Sequence, residues 1–169
     1  GAYLDDTIAA GDDAGSTTLF RLDETGVWTR RQYLTAFDGV SEDRYGISVS
    51  LRNGWLAVGA YFAAVEGRLN QGAVYLYQNV ADTWVFRSKQ VLDSGARDNF
   101  FGYALAFDRS AERLLVGTPG DDEAAGDAGA AYLYRRTGAA WALERKVLPA
   151  PGVPEAFAGI SIALADGIA

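Results

Sequence analysis

The chain has 169 residues, 49% of them apolar, a net charge of −7, and no cysteine, histidine or methionine. That composition excludes disulfides and thiolate or imidazole metal sites and removes the commonest general base. The acidic balance opposes phosphate backbones and anionic membranes, so no nucleic acid partner is expected, and no apolar run approaches the ~18 residues of a membrane span.

Taken in chain order, the first landmarks are Gly11, Gly15 and the alternating pair Thr18/Phe20, after which Trp28 opens a strand that ends at Leu34. Tyr45-Gly46 then begins a second copy, with strands predicted over Gly46–Leu51, Trp55–Ala60, Ala73–Gln78 and Thr83–Leu92. Phe101-Gly102 begins a third, with strands over Gly102–Phe107, Arg113–Thr118, Ala130–Arg135 and Ala140–Leu148. Phe157-Ala158-Gly159 opens one more strand, Phe157–Leu164. The segments are short, rich in β-branched and aromatic residues and divided by Gly/Asp/Asn turns, which favours strands over helices.

Five classes of landmark recur in one fixed order, most of them 56 to 58 residues apart. Trp28, Trp84 and Trp141 lie 56 and 57 residues apart, and the aromatics Tyr45, Phe101 and Phe157 lie 56 apart. Thr18/Phe20, Tyr75/Tyr77 and Tyr132/Tyr134 follow Gly15, Gly72 and Gly129, and Gly11, Gly59 and Gly117 close another strand of each copy. Tandem units of four antiparallel strands are the mark of β-propeller blades, because a lone four-stranded sheet has two faces and must stack on neighbours to cover both. The fold class is therefore all-β, with three four-stranded repeats of about 56 residues: blade 1 over 1–44, lacking its innermost strand, blade 2 over 45–100, blade 3 over 101–156, and 157–169 as the first strand of a further or closing blade. The apolar first strands read as buried on both faces, and the last strands, with Arg30-Arg31, Arg87-Ser88-Lys89 and Glu144-Arg145-Lys146, as charged outer edges. The regularly spaced tryptophans and tyrosines read as core.

The match of Leu4–Ala9 with Leu164–Ala169 suggests that the chain begins and ends at one point of the repeat. Three blades close too tight a ring, so two expectations follow: a segment of a larger propeller, or half of a dimeric six-bladed ring.

Phe101-Gly102-Tyr103-Ala104-Leu105-Ala106, followed by Val116-Gly117-Thr118-Pro119-Gly120-Asp121-Asp122, resembles the FG-GAP repeat, and Tyr45-Gly46 with Gly59-Ala60 carries the same pattern. The likeness is greater to bacterial FG-GAP repeats than to the integrin α-subunit propeller. It implies a propeller in a secreted or cell-surface protein that serves adhesion or protein contact. The calcium motif of the integrin-like subset is missing: the loops where it would lie read Leu51-Arg52-Asn53-Gly54 and Asp108-Arg109-Ser110-Ala111-Glu112, without alternating oxygen ligands.

Among candidate sites, Asp121, Asp122, Glu123 and Asp127 form the densest acidic loop and are the candidates for calcium, the one cofactor considered. Asp38/Asp43 and Asp93/Asp98 share a spacing and read as turn-makers. Trp55, Tyr61, Phe62 and Tyr33 fall off the repeat and are the candidates for exposed contact with a partner: a protein, another copy of the chain, or a glycan. No Ser/His, Cys/His or phosphate-loop arrangement is present, so the reading is a non-enzymatic adhesion module, with a lectin-like propeller as the alternative and a carboxylate hydrolase behind it.

Overall fold

The computed structural model describes residues 1–6, 11–165 and 168. Every regular element among them is a strand: β1 (Thr17–Leu22), β2 (Trp28–Leu34), β3 (Ser48–Arg52), β4 (Trp55–Ala60), β5 (Ala73–Val80), β6 (Thr83–Gln90), β7 (Ala104–Phe107), β8 (Arg113–Thr118), β9 (Ala130–Thr137) and β10 (Ala140–Val147). They form three antiparallel sheets, β1-β2, β3-β4-β5-β6 and β7-β8-β9-β10, which do not close into a ring. The chain is thus an open stack of propeller-type sheets, each a meander in sequence order.

Each sheet carries a bulge at the same place on its last hairpin, where Arg31, Arg87 and Glu144 are the extra residues of the outer strand. A charged bulge on an edge strand twists it and hinders pairing with another chain, which accounts for the polar character of these strands.

Strand alternation gives the middle sheet two buried faces. Leu56, Val58, Tyr75 and Tyr77 pack toward the first sheet with Leu19, Leu34, Ala36 and Tyr45. Trp55, Ala57, Val74 and Leu76 pack toward the third sheet with Phe101, Leu114, Val116, Tyr132, Tyr134 and Trp141. Each large side chain so buried contributes roughly 2–3 kcal/mol.

One connection recurs between units. Parallel bridges join Gly15 to Tyr45, Gly72 to Phe101 and Gly129 to Ala158. These glycines have φ of 85°, 87° and 79°, and a Cβ on any of them would overlap the carbonyl oxygen of its partner. Glycine is required there by both conformation and space. The third bridge corrects the sequence register: Ala158, not Phe157, takes the place of Tyr45 and Phe101, and Phe157 takes that of Arg44 and Phe100, all three with φ near 50°.

A second correction concerns Gly11. A Cβ on Gly59 would overlap the Gly102 carbonyl and one on Gly117 the Gly159 carbonyl; the residue at which a Cβ would overlap the Gly46 carbonyl is Gly1. Ala2 bridges Ser16 as Ala60 pairs with Ala73 and Thr118 with Ala130. Asp5, Ala63 and Asp121 each accept a bond at their carbonyl from Gly15, Gly72 and Gly129. Gly1-Ala2 therefore corresponds to Gly59-Ala60, and the likeness of Leu4–Ala9 to Leu164–Ala169 is not structural equivalence; residues 7–9, 166, 167 and 169 of that match lie outside the described residues.

Two expectations about burial also change. Val49 and Leu51 of β3 are exposed, Leu51 at 55%, whereas Phe107, the counterpart of Leu51 in β7, is at 6%. Trp28 is 64% exposed, Trp84 half-buried, and Trp141 only 7% exposed. The reason is common to both series: each residue is covered by the inner strands of the preceding sheet. Among the described residues, Trp141 and Phe107 have a complete four-stranded sheet before them, Trp84 and Leu51 only β1 and β2, and Trp28 none. No strand forms over the described residues of 157–169; the segment holds the Ala158 bridge and a tight Ala165–Ile168 bridge.

Candidate functional site

Three of the acidic side chains singled out from sequence, Asp38, Asp121 and Glu123, lie at one recurring position. In the third sheet β9 pairs with β10 so that Tyr132 lies opposite Lys146, and the β8–β9 loop delivers Asp121 to both. The Tyr132 hydroxyl donates to Asp121 Oδ2 at 2.6 Å, and Lys146 Nζ donates to Asp121 Oδ1 and Glu123 Oε2 at 2.7 Å each. Burial and the bond to Asp121 push the Tyr132 phenol up to about 12. Burial disfavours the Lys146 ammonium, but its bonds to Asp121 and Glu123 outweigh that and hold it above the usual lysine value.

The second sheet builds the same cluster with an acid from elsewhere. Tyr75 lies opposite Lys89, and Ala63 stands where Asp121 stands in the third sheet, so the carboxylate comes from the preceding unit. Asp38 accepts from the Tyr75 hydroxyl at 2.8 Å and from Lys89 Nζ at 2.8 Å. Burial raises the Asp38 pKa, yet these two bonds outweigh it and hold the carboxyl below its usual value. In the first sheet Tyr33 occupies the lysine position and donates to Asp5 Oδ2 at 2.7 Å, with Ser16 donating to the same atom at 2.6 Å. Ser16 and Tyr33 both lower the Asp5 pKa. All three sheets thus place a hydrogen-bonded carboxylate at one spot, by three different combinations of side chains.

This arrangement corrects the reading of the acidic loop. Asp121 and Glu123 meet, but on the Lys146 ammonium. Asp122 and Asp127 do not join them: Asp122 Oδ1 accepts the Asp127 backbone N–H at 2.7 Å, as Asp6 does from Asp13 at 3.0 Å in the first unit. Among the described residues no three Asp or Glu side chains converge as a metal site. The position between Asp121 and Glu123 is held by the Lys146 ammonium, 2.7 Å from an oxygen of each.

Asp43 makes the turn expected of it, whereas in the second copy the turn-maker is Asn99, one residue after Asp98. Asp43 Oδ2 accepts from the Val40 N–H at 3.0 Å, and its counterpart is Asn99, whose Oδ1 accepts from Ala96. Burial raises the Asp43 pKa despite that bond. Asp98 instead accepts from Asn70 at 2.7 Å, and Asp93 is exposed.

Of the four contact candidates, Trp55 is 3% exposed and packs edge-on against Trp141 with centroids 5.5 Å apart, beneath the Arg136 guanidinium at 5.2 Å. It is a core residue of the junction between the second and third sheets, not a sugar platform. Tyr61 is also buried; Tyr33 is exposed and bonded to Asp5; Phe62 is half-buried. Tyr61 and Phe62 nevertheless belong to a group the sequence did not assemble. Their rings stack at 4.2 Å, Phe62 lies 5.7 Å from Phe100, and Tyr61 lies 5.2 Å from Tyr103. The Arg44 guanidinium sits 4.4 Å over Phe62 and donates to the Tyr61 hydroxyl at 2.6 Å. Phe100, Tyr103 and Arg44 gave no signal in the sequence beyond flanking the Tyr45-Gly46 and Phe101-Gly102 glycines. Among the described residues no carboxylate pairs with Arg44, and its buried Nε has no hydrogen-bond acceptor.

Comparison with known families agrees with this architecture. A model of the FG-GAP repeat matches residues 28–77 and again residues 84–134. No curated protein matches the chain. Each matched copy runs from the outer strand of one sheet through the third strand of the next, β2–β5 and then β6–β9, so the sequence repeat spans a junction instead of a single sheet. The two copies cover more than half of the chain, carry the repeated glycine contacts and fold into the stacked sheets described above: the chain belongs to the FG-GAP repeat family.

Proposed function

We propose that the chain is a non-enzymatic adhesion module of a secreted or cell-surface protein, and that it contacts a protein partner through the loop surface formed by Arg44, Phe62, Phe100 and Tyr103. FG-GAP repeats occur in adhesion and protein-interaction modules. The observation that carries the reading is Arg44: a half-buried guanidinium stacked on Phe62, in a chain of net charge −7, with no ion-pair partner among the described residues. Arginine and aromatic side chains dominate the energetics of protein interfaces, and a pre-stacked guanidinium loses little freedom when a carboxylate reaches it. A partner with an acidic side chain flanked by apolar residues fits this surface. The acids that a hydrolase reading would enlist are instead committed to lysine, tyrosine and backbone groups.

The test is a cell-adhesion assay on surfaces coated with the chain or with its Arg44→Glu and Phe62→Ser variants, with unfolding temperatures measured in parallel. Retention of cells by the parent chain, lost in both variants at unchanged unfolding temperature, is expected. Equal retention by all three, or retention by none, contradicts the proposal. Protease treatment of intact producing cells tests location: loss of the chain is expected, and protection contradicts a surface site.

A further inference from the structure

The geometry points to a ligand pocket between the second and third sheets that takes an ammonium group carried on an aliphatic stem. In the corresponding place between the first and second sheets, Phe37 lies against Phe86 with ring centroids 5.0 Å apart. Phe86 in turn lies 5.8 Å from Tyr77, whose hydroxyl accepts from that of Tyr45. Between the second and third sheets Leu143 stands for Phe86, since it opposes Tyr134 across β9–β10 as Phe86 opposes Tyr77 across β5–β6. Phe101 stands for Tyr45, at the same bridge to a glycine. Asp93 stands for Phe37: each directly follows the residue whose carbonyl accepts a turn-closing bond, Leu92 from Gly95 and Ala36 from Gly39. The second junction thus has no ring where Phe37 covers the first, and a cavity of about 340 Å³ opens there, bounded by Leu92, Asp93, Ser94, Tyr134, Trp141 and Leu143.

The polar groups of this cavity are uncommitted. Tyr134 is 4% exposed, yet its hydroxyl makes no hydrogen bond among the described residues, because Phe101 lacks the oxygen that Tyr45 offers Tyr77. Its oxygen is not one of the fully occluded polar atoms, so it is reached from outside, and the opening that Tyr134 lines is this cavity. Asp93 is exposed and forms no ion pair among the described residues. It lies within electrostatic reach of the phenol: burial is the first cause that raises the Tyr134 pKa, followed by the charges of Tyr132 and Asp93. Lys146, the cation beside Tyr132, is held by Asp121 and Glu123. An unpaired carboxylate, a free phenolic oxygen and the rings of Tyr134 and Trp141 around an open volume suit a cation. The ammonium donates to Asp93 and to the Tyr134 oxygen, the rings add their attraction, and the stem lies along Leu92 and Leu143. An anion is opposed by Asp93 and by the net charge of −7.

Calorimetric titration of the chain at low salt with cadaverine and with a capped lysine peptide tests this. A Kd of about 1 mM or tighter is expected for at least one of them. Binding of both assigns the pocket to alkylammonium groups at large, of the peptide alone to a lysine side chain of a partner, and of cadaverine alone to a free amine. Asp93→Asn is expected to weaken binding about 10-fold or more. Asp93→Phe, which restores the residue type of the first junction, is expected to abolish it. Both should leave the unfolding temperature unchanged, because Asp93 is exposed. Tyr134→Phe is expected to weaken binding several-fold without lowering the unfolding temperature, because its hydroxyl has no partner to lose. Pentanol, a similar stem without the charge, is expected not to bind. The inference is overturned if neither amine binds, if the parent chain and both Asp93 variants bind equally, or if pentanol or a hexose binds in place of the amines. Any of these leaves the Arg44 surface untouched, because it shares no residue with the pocket.

Discussion

The junction between the second and third sheets and the junction between the first and second use the same parts and reach different degrees of closure. Both rest on a glycine bridged to the chain beyond it, Gly72 to Phe101 and Gly15 to Tyr45, and both insert that aromatic between sheets. In the first junction the Tyr45 hydroxyl donates to the Tyr77 hydroxyl at 2.9 Å; in the second Phe101 packs edge-on against Tyr132 and Tyr134. Only the second junction has four strands on each side, and there Trp141 and Phe107 are covered while Trp84 and Leu51 are not. A propeller-type sheet is therefore not an independent folding unit: what buries its outer tryptophan is the inner half of its predecessor.

The largest effect that would break this comparison lies in the bridging glycines. Gly72→Val meets the Phe101 carbonyl at a positive φ and is expected to cost more than about 4 kcal/mol, abolishing the cooperative transition followed by circular dichroism. Gly15→Val creates the same overlap with Tyr45 but is expected to free only β1 and β2, leaving a protease-resistant core over 45–156. If the two variants behave alike, the junctions are not unequal.

Next in size is the tryptophan series. Trp141→Ala is expected to cost about 4 kcal/mol, Trp84→Ala about 2 and Trp28→Ala less than about 1, read as denaturation midpoints. Equal losses at the three positions contradict the burial argument. Smaller again is the contrast between the lysine clusters. Lys146→Met strands the buried Asp121 carboxylate and is expected to cost about 3 kcal/mol, whereas Lys89→Met, beside the more exposed Asp38, costs about 1. Calcium is expected not to restore the Lys146 variant, since the Asp122 carboxylate is bonded to the Asp127 backbone N–H.

The smallest effect at neutral pH concerns the buried phenols. Burial is the leading cause that raises Tyr45, Tyr75, Tyr77, Tyr132 and Tyr134 above their usual value of 10, Tyr132 to about 12. A proton held more tightly in the fold than in the unfolded chain contributes stability that is complete below pH 10 and lost as pH rises toward 12. Tyrosinate absorbance is expected to rise for these residues together with unfolding; ionisation near pH 10 in the folded chain contradicts their burial.

Most of the fold was legible in the sequence because its period is enforced by backbone contacts that only glycine allows. Trp55–Ala60 and Arg113–Thr118 were found to the residue. The errors were slips of register where small residues left no mark. Ala158 does the bridging that Tyr45 and Phe101 do, and the neighbouring Phe157 drew the alignment by one. Gly11 was chosen over Gly1, although Gly1-Ala2-Tyr3 repeats Gly59-Ala60-Tyr61. The site was less legible for a physical reason. Whether an acid is free or spent depends on what lies across the hairpin, and Lys146 is 25 residues from Asp121. Likewise Trp55 looked out of pattern because its partner, Trp141, comes from the next sheet.

The most direct test of unequal junctions is amide hydrogen exchange on the chain. Slowest exchange is expected in β4, β5, β8 and β9, with β1 and β2 exchanging faster by orders of magnitude through local opening. Uniform protection across all three sheets, or greatest protection in β1 and β2, would contradict the account.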